Sequence, residues 1–441
     1  MIDKKALNFS YIQIFLILSY LICWFSISTS FDDIQNFIET ENNNLNNLLN
    51  FLRQSLNLFL FPILIIIFFK KYQDINLKRE LLFIFLFFYF IFQVPGLFLT
   101  KNSIMNLVYV VSALNILLIF ILSNIYFDEK KYSIFFYITF IMLSLITILN
   151  YKVFVNFFAS KSSSTLYTFF FSSETFLGKN SPRSTGSSRT LLIMMIMSFF
   201  IFKNFFYKYN FFKIAIFILI STIVLLFQSR TTIVLLIIYI LINYIYEKKF
   251  SLKETLKYFG LYFIVPIIFL NAIITSKYLI YNYENINFKN NSISKNLNQI
   301  TTDFKRPIDP KTYSSGRVND WKDILSKIDR SIIYGYGAQS DRFLINQTAS
   351  NGLIYAIASS GILGIINFVS FSLLSLWIVI KNLLKNFKLR EQIDYLSSVI
   401  VLLILFRSIL ESSYAVFSVD FIVIYTFINY LNKFSLKNDE Y

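Results

Sequence analysis

Residues 211–246 read FFKIAIFILISTIVLLFQSRTTIVLLIIYILINYIY. Two long apolar runs flank Gln228-Ser229-Arg230-Thr231-Thr232, with almost no loop between them. About 20 apolar residues in a helix cross the ~30 Å of hydrocarbon in a bilayer. The stretch therefore reads as a helical hairpin in a membrane, with one arginine at its tip. The same pattern recurs along the chain. Apolar runs begin near Phe9, Asn57, Leu81, Ile104, Ser133, Thr190, Phe211, Thr231, Tyr258, Asn351, Tyr395 and Ala415. The predicted fold is an all-α polytopic membrane protein of about twelve transmembrane helices.

Composition agrees. Of 441 residues, 56% are hydrophobic and 15% charged, against about 25% charged in a soluble domain. That excludes a soluble enzyme and a disordered chain. The single cysteine, Cys23, excludes an internal disulfide. The absence of histidine removes every mechanism built on imidazole as base, ligand or switch.

The net charge of +16 would point to nucleic acid in a soluble protein. Here the cations are sorted by loop, and no nucleic-acid partner is expected. One set of loops holds Lys4 and Lys5; Lys70, Lys71, Lys78 and Arg79; Lys130 and Lys131; Lys203, Lys208 and Lys213; Lys248, Lys249, Lys253 and Lys257; Lys381, Lys385, Lys388 and Arg390; Lys433 and Lys437. The short loops of the other set hold only Arg53, Lys101, Arg230 and Arg407. Positive loops stay in the cytoplasm, so both termini are predicted to be inside. The first apolar run is long and has no small-residue cleavage site, so it reads as the first span and not as a cleaved signal.

Residues 1–441 form a single polytopic domain in this reading, with two long outer segments. The first covers residues 150–189 and the second, a large loop before the tenth helix, residues 277–350. A loop of that length is functional or disordered. Ser314-Ser315-Gly316 signals a helix start. Trp321, Ile324, Leu325 and Ile328 then form one apolar stripe of a short amphipathic helix, which Tyr334-Gly335-Tyr336-Gly337 ends. The asparagine-rich stretch 42–50 reads as a solvated loop.

Charges within spans are expensive and mark function. Arg230 is one. Arg407 and Glu411 are four apart, on one helix face. Asp420 lies inside the last span. The plainer reading is that Arg230 and Arg407 snorkel to the outer headgroups and Glu411 neutralises Arg407. The outer segments add Arg183 and Arg189, then Arg317. Arginine binds phosphate through a planar fork that never deprotonates. An outward cavity of arginines, without histidine, paired cysteines or acidic clusters, reads as a diphosphate site and not as a metal site. No metal or cofactor is expected. Trp321 reads first as the anchor of the amphipathic helix and second as a platform for a sugar ring.

Three stretches carry a resemblance: Ser314-Ser-Gly-Arg317-Val-Asn-Asp-Trp321, Tyr334-Gly-Tyr-Gly337, and Ser350-Asn351-Gly-Leu-Ile-Tyr-Ala-Ile-Ala-Ser-Ser-Gly361-Ile-Leu-Gly364. Together they resemble the O-antigen polymerase and O-antigen ligase superfamily (Wzy and WaaL types). The Arg230 junction and the Arg407…Glu411 face look like the same superfamily. The resemblance implies a metal-independent glycosyltransferase in a bacterial inner membrane, with its active site facing the periplasm. It implies an undecaprenyl-diphosphate-linked oligosaccharide as donor, membrane lipid around it, and a chain-length regulator and flippase as neighbours. Arg230 and Arg317 would bind the diphosphate. Ligases of the superfamily carry a histidine where this chain has Ser350, which favours the polymerase branch and leaves as the base a carboxylate, or none if the diphosphate itself takes the proton. Glu411 is the first candidate, with Asp420 and Asp320 in reserve. A lipid-linked oligosaccharide flippase is the alternative from another class, but it would show related halves and short loops on both sides.

Overall fold

The computed structural model describes residues 9–28, 43–75, 80–99, 103–149, 185–227, 229–247, 255, 258–273, 275–276, 317–346, 348–389 and 392–435. No strand occurs among them. The helices are α1 (Tyr11–Ser28), α2 (Asn43–Lys71), α3 (Leu81–Ile91), α4 (Ser103–Tyr126), α5 (Glu129–Leu149), α6 (Thr185–Ile201), α7 (Asn210–Leu226) and α8 (Arg230–Glu247). They continue with α9 (Gly260–Ile273), α10 (Arg317–Lys327), α11 (Ser340–Ile345), α12 (Gly352–Leu389), α13 (Gln392–Leu410) and α14 (Val419–Tyr430). Each of the apolar runs carries helix. The helices α2, α4, α5, α12 and α13 are long and apolar enough to cross a membrane, and the others are shorter. The chain is an all-α polytopic membrane protein.

The last helix is the axis of the bundle. Every residue of α14 is buried, as expected of a helix that is apolar all round. Its few polar groups are satisfied across helices, since hydrocarbon offers no water. Tyr20 of α1 shares its hydroxyl with Thr139 of α5 and Thr426 of α14, both at 2.8 Å. Asn429 and Asn124 of α4 exchange hydrogen bonds at 3.0 and 3.1 Å.

The helix α12 is broken at Gly361, whose φ is 63°. In an unbroken helix the amides of Ile362 and Leu363 would donate to the carbonyls of Ala358 and Ser359. Here the loop after α10 takes both places. Tyr336 and Gly337 donate to Ala358 and Ser359 at 2.8 Å, while Ile362 and Leu363 donate to Ile332 and Ile333 at 2.9 and 3.5 Å. The break thus leaves these four groups paired, which is the condition for breaking a membrane helix. A Cβ on Gly335 would lie 2.5 Å from the Ser359 backbone, and one on Gly361 would overlap the Ile333 carbonyl. The Tyr-Gly-Tyr-Gly turn is therefore less a flexible helix breaker than a plug seated in α12.

Two expectations change, at the asparagine-rich stretch and on α10. The asparagine-rich stretch is helical from Asn43 onward, because leucines interleave the asparagines and adding a turn to an existing helix costs little. The outer segment 150–189 ends in helix, since α6 starts at Thr185; the rest of it, with Arg183, lies outside the described residues, as do residues 277–316 of the large loop. On α10, Ile324 and Ile328 are buried and Trp321 is half-buried, but Leu325 is 44% exposed. The covered stripe runs Trp321–Ile324–Ile328, and Leu325 is one step around the helix from it.

The plug predicts an asymmetry among glycines. Gly361→Ala should lower the thermal midpoint of the purified protein by several degrees or prevent folding, because alanine is strained at positive φ and meets a backbone carbonyl. Gly186→Ala, with open space around its Cβ, should leave the midpoint within a degree or two. Thermal unfolding in detergent distinguishes them.

Candidate functional site

At one end of the bundle the starts of α6, α8, α12 and α14 meet the end of α13. Ser418 caps α14 by accepting from the Phe421 amide. This places Asp420 in the first turn, where the helix dipole favours an anion. Asp420 is fully buried. It is ion-paired with Arg407 of α13 and with Arg189 of α6 at 3.0 Å. The Ser413 hydroxyl donates to it at 2.7 Å. Two guanidiniums thus share one carboxylate, a local excess of positive charge. The Nε atoms of Arg189 and Arg407 are buried and have no hydrogen-bond partner among the described residues.

The start of α8 sits beside this cluster. Thr232 and Ser188, the neighbour of Arg189, bond at 3.0 Å, and Ser229 and Thr232 at 2.8 Å. Arg230 opens α8 at the same bundle end; its side chain lies outside the described ones.

A second, more open layer lies above. Arg317 opens α10 and donates through Nη1 to the Leu410 carbonyl at 3.1 Å and through Nη2 to Glu411 Oε1 at 3.2 Å. The side chains of Arg317 and Glu411 are 28% and 16% exposed, against 12% for Arg189 and 7% for Arg407. The inner layer is sealed, and the outer one is reachable. Asn351 Nδ2 donates to the preceding carbonyl, Ile409, at 2.8 Å. Asn351 and Arg317 thus satisfy successive carbonyls at the end of α13, where helix carbonyls have no partners of their own. The Asn351 Oδ1 also accepts the Leu353 and Ile354 amides at 2.9 and 3.0 Å and caps α12.

This corrects the pairing read from spacing. Glu411 does not neutralise Arg407. The Glu411 amide still donates to the Arg407 carbonyl at 2.9 Å, so the turn that an i, i+4 pair requires is present, but Glu411 does not use it for its side chain. Its carboxylate turns to Arg317, and Arg407 turns inward to Asp420. Arg407 is accordingly buried and does not snorkel to a headgroup.

Trp321 anchors α10, its Nε1 donating to the Ala349 carbonyl at 2.7 Å. The Ala349 amide in turn donates to Asp341 Oδ2 at 2.8 Å. Burial pushes the Asp341 carboxyl up, and the amides of Ala349 and Arg342 pull it back. The next residue, Ser350, has a φ of 49°. The other non-glycine residues of positive φ among the described ones, Gln339, Asn346 and Ser413, belong to the same region, as strained residues at functional sites often do.

Residues 215–369 match the family described as O-antigen ligase. The match supports the resemblance to the O-antigen polymerase and ligase superfamily over this part of the chain. No curated protein and no solved structure matches the chain. The O-antigen ligase region runs from α7 to the middle of α12 and includes the Arg230 junction, α10 with Arg317 and Trp321, the plug and Asn351. Members of the superfamily are glycosyl-transferring enzymes of surface polysaccharide or lipopolysaccharide assembly. Arg189, Arg407, Glu411 and Asp420 lie outside the matched region and reach it through the Arg317–Glu411 pair and the Ser188–Thr232 bond.

Asp341 and Asn351 were not among the candidate site residues read from sequence. Asn351 had a local signal, an Asn-Gly step that opens an apolar run. Asp341 had none, because its role depends on a fold-back to Ala349. For Asp420, Asp420→Ala should destabilise the protein by about 3–5 kcal/mol, since it leaves two buried guanidiniums without their counterion. Asp420→Asn, which keeps an acceptor for Ser413, should lose less. Denaturation of purified variants checks the order, and equal losses would contradict it.

Proposed function

We propose that the protein is an oligosaccharide repeat-unit polymerase. It takes glycan from undecaprenyl diphosphate at the periplasmic face of a bacterial inner membrane and adds it to an acceptor glycan. The two-layered cationic site carries this reading: an excess of guanidinium over carboxylate in a dry place calls for an anionic ligand. The orientation follows from the segregation of Lys and Arg, which puts the Arg317 end of the bundle outside.

The acceptor hydroxyl oxygen bonds to the anomeric carbon of the donor's reducing-end sugar. The bond from that carbon to the diphosphate oxygen breaks, and its electron pair leaves with the lipid diphosphate. Arg317, with Arg230 beside the inner cluster, stabilises the charge that grows on the leaving group. Arg189 and Arg407 keep the inner field positive while Asp420 holds them in place. The hydroxyl proton passes to Glu411. In the resting site Glu411 is held by Arg317. A diphosphate competes for that guanidinium and releases the carboxylate when substrate arrives. Arg183, on the first outer segment, would add to the phosphate field, and Trp321, besides anchoring α10, would border the sugar. A chain-length regulator and a flippase are the expected neighbours.

The polymerase branch is favoured over the ligase by Ser350, which stands where the ligase element has its histidine, in a chain with none. Band patterns of surface glycan separate the readings. A deletion strain should carry single repeat units only. Free, unattached polymer would mean a ligase, and no surface glycan at all a flippase. Arg317→Ala should fail to restore long chains, with a rate loss on the order of 10²–10³, typical of a lost transition-state donor. Glu411→Gln should slow polymerisation by about 10²-fold or more. Wild-type chain lengths in Arg317→Ala would remove the diphosphate proposal.

A further inference from the structure

Half of residues 317–330 are charged, but the next eight, Ser331-Ile-Ile-Tyr-Gly-Tyr-Gly-Ala338, carry no charge. This uncharged run passes through the wall of the bundle. Ile332, Ile333 and Tyr334 face outward and are 44%, 53% and 46% exposed. Tyr336 and Ala338 are buried. Between them the backbone is squeezed from both sides. A Cβ on Gly335 would lie 2.5 Å from the Ser359 backbone of α12, and one on Gly96, just beyond α3, would lie 2.3 Å from the Gly337 amide nitrogen.

The level of this crossing follows from α12. The carbonyls of Ile332 and Ile333 accept the amides of Ile362 and Leu363. Lys381, the first charged residue of α12, lies 19 residues after Ile362. That is about 28 Å of helix, against ~30 Å for the hydrocarbon of a bilayer, and tilt shortens it further. Ile332 and Ile333 therefore sit at the edge of the hydrocarbon, on the Arg317 side. What covers them follows from continuity. Below the break α12 turns an exposed apolar stripe outward: Ile362, Ile366, Leu373, Trp377, Ile380 and Leu384. On a helix long and apolar enough to cross a membrane, such a stripe meets lipid. It stops at Gly361, above which Ala358 and Ser359 are buried. Ile332, Ile333 and Tyr334 carry the apolar surface on from Ile362. We propose that this turn is a wedge in the leaflet on the Arg317 side, the outer one by the segregation of Lys and Arg. The two isoleucines lie among acyl chains and the Tyr334 ring at headgroup level, where aromatic side chains anchor membrane proteins. The loop before α12 is thus re-entrant. One backbone joins the wedge to α10, so the depth of the wedge sets the height of Arg317 above the hydrocarbon. The wedge does not depend on which reaction the site performs.

The test reads depth with nitroxide labels on Ile333→Cys, Ile366→Cys and Ser326→Cys. Each is made in a Cys23→Ala background and placed in vesicles of phosphatidylethanolamine and phosphatidylglycerol. Ile366 lies on the exposed stripe of α12, and Ser326 is exposed on α10. At position 333, as at 366, collisions with oxygen, which partitions into hydrocarbon, should exceed those with a water-soluble nickel chelate several-fold. Position 326 should show the reverse. Nickel collisions in excess at 333 would mean that the turn stands in water, and the proposal fails. Few collisions of either kind would mean that protein covers it, a second copy or another chain, and the proposal fails as well. A second measurement needs no substitution. A phospholipid with a photoreactive group near the carbonyl end of its acyl chain should label residues 332–334 of the full-length protein. Labelling of the α12 stripe with no adduct at 332–334 would overturn the wedge.

Discussion

One carboxylate organises the working end of this bundle. Asp420 sits in the first turn of the axial helix, out of contact with solvent, and holds Arg189 and Arg407 from two other helices. A lone charge at that depth would be prohibitive, and so would either arginine alone. Together they fix the relative positions of α6, α13 and α14. Since two cations meet one anion, the cluster keeps a positive field that it cannot discharge internally. Whatever docks above it feels that field at short range through a medium that screens weakly.

The second constraint is the plug in α12. A membrane helix can be interrupted only if its freed amides and carbonyls find partners, and the segment after α10 supplies all four. The consequence is positional. The plug fixes one end of α10, and the Trp321–Ala349–Asp341 chain of hydrogen bonds fixes its middle. Arg317, at the other end, is thereby delivered to the end of α13. Glycines at positions 335 and 361 serve this geometry, because backbones that cross so closely leave no room for a side chain.

Much of the architecture was legible in the sequence, because membrane spans announce themselves by length and hydropathy alone. Arg317, Arg407, Glu411 and Asp420 were also legible as individuals, since charge is rare next to apolar runs. Their pairing was not. Spacing of four put Arg407 with Glu411, and the turn joining them exists, but partners on other segments claim both side chains. Only tertiary structure places α10 against that end. The helical turns at Asn43–Asn50 were missed for a related reason: composition described the residues, but not the strong helix they extend. The plug was visible only as a turn, because what fills a break in a helix is set by a segment some 25 residues away in sequence.

The central claim is that the excess guanidinium at this end holds the diphosphate of a lipid-linked donor. The most direct measurement is an electron cryo-microscopy map of the purified protein with polyprenyl diphosphate bound. The account predicts phosphate density within hydrogen-bonding distance of Arg317, above the Arg189–Asp420–Arg407 cluster, with the Arg317–Glu411 pair opened. A headgroup bound at the opposite end of the bundle, or held without contact to Arg317 while that pair stays closed, would contradict it.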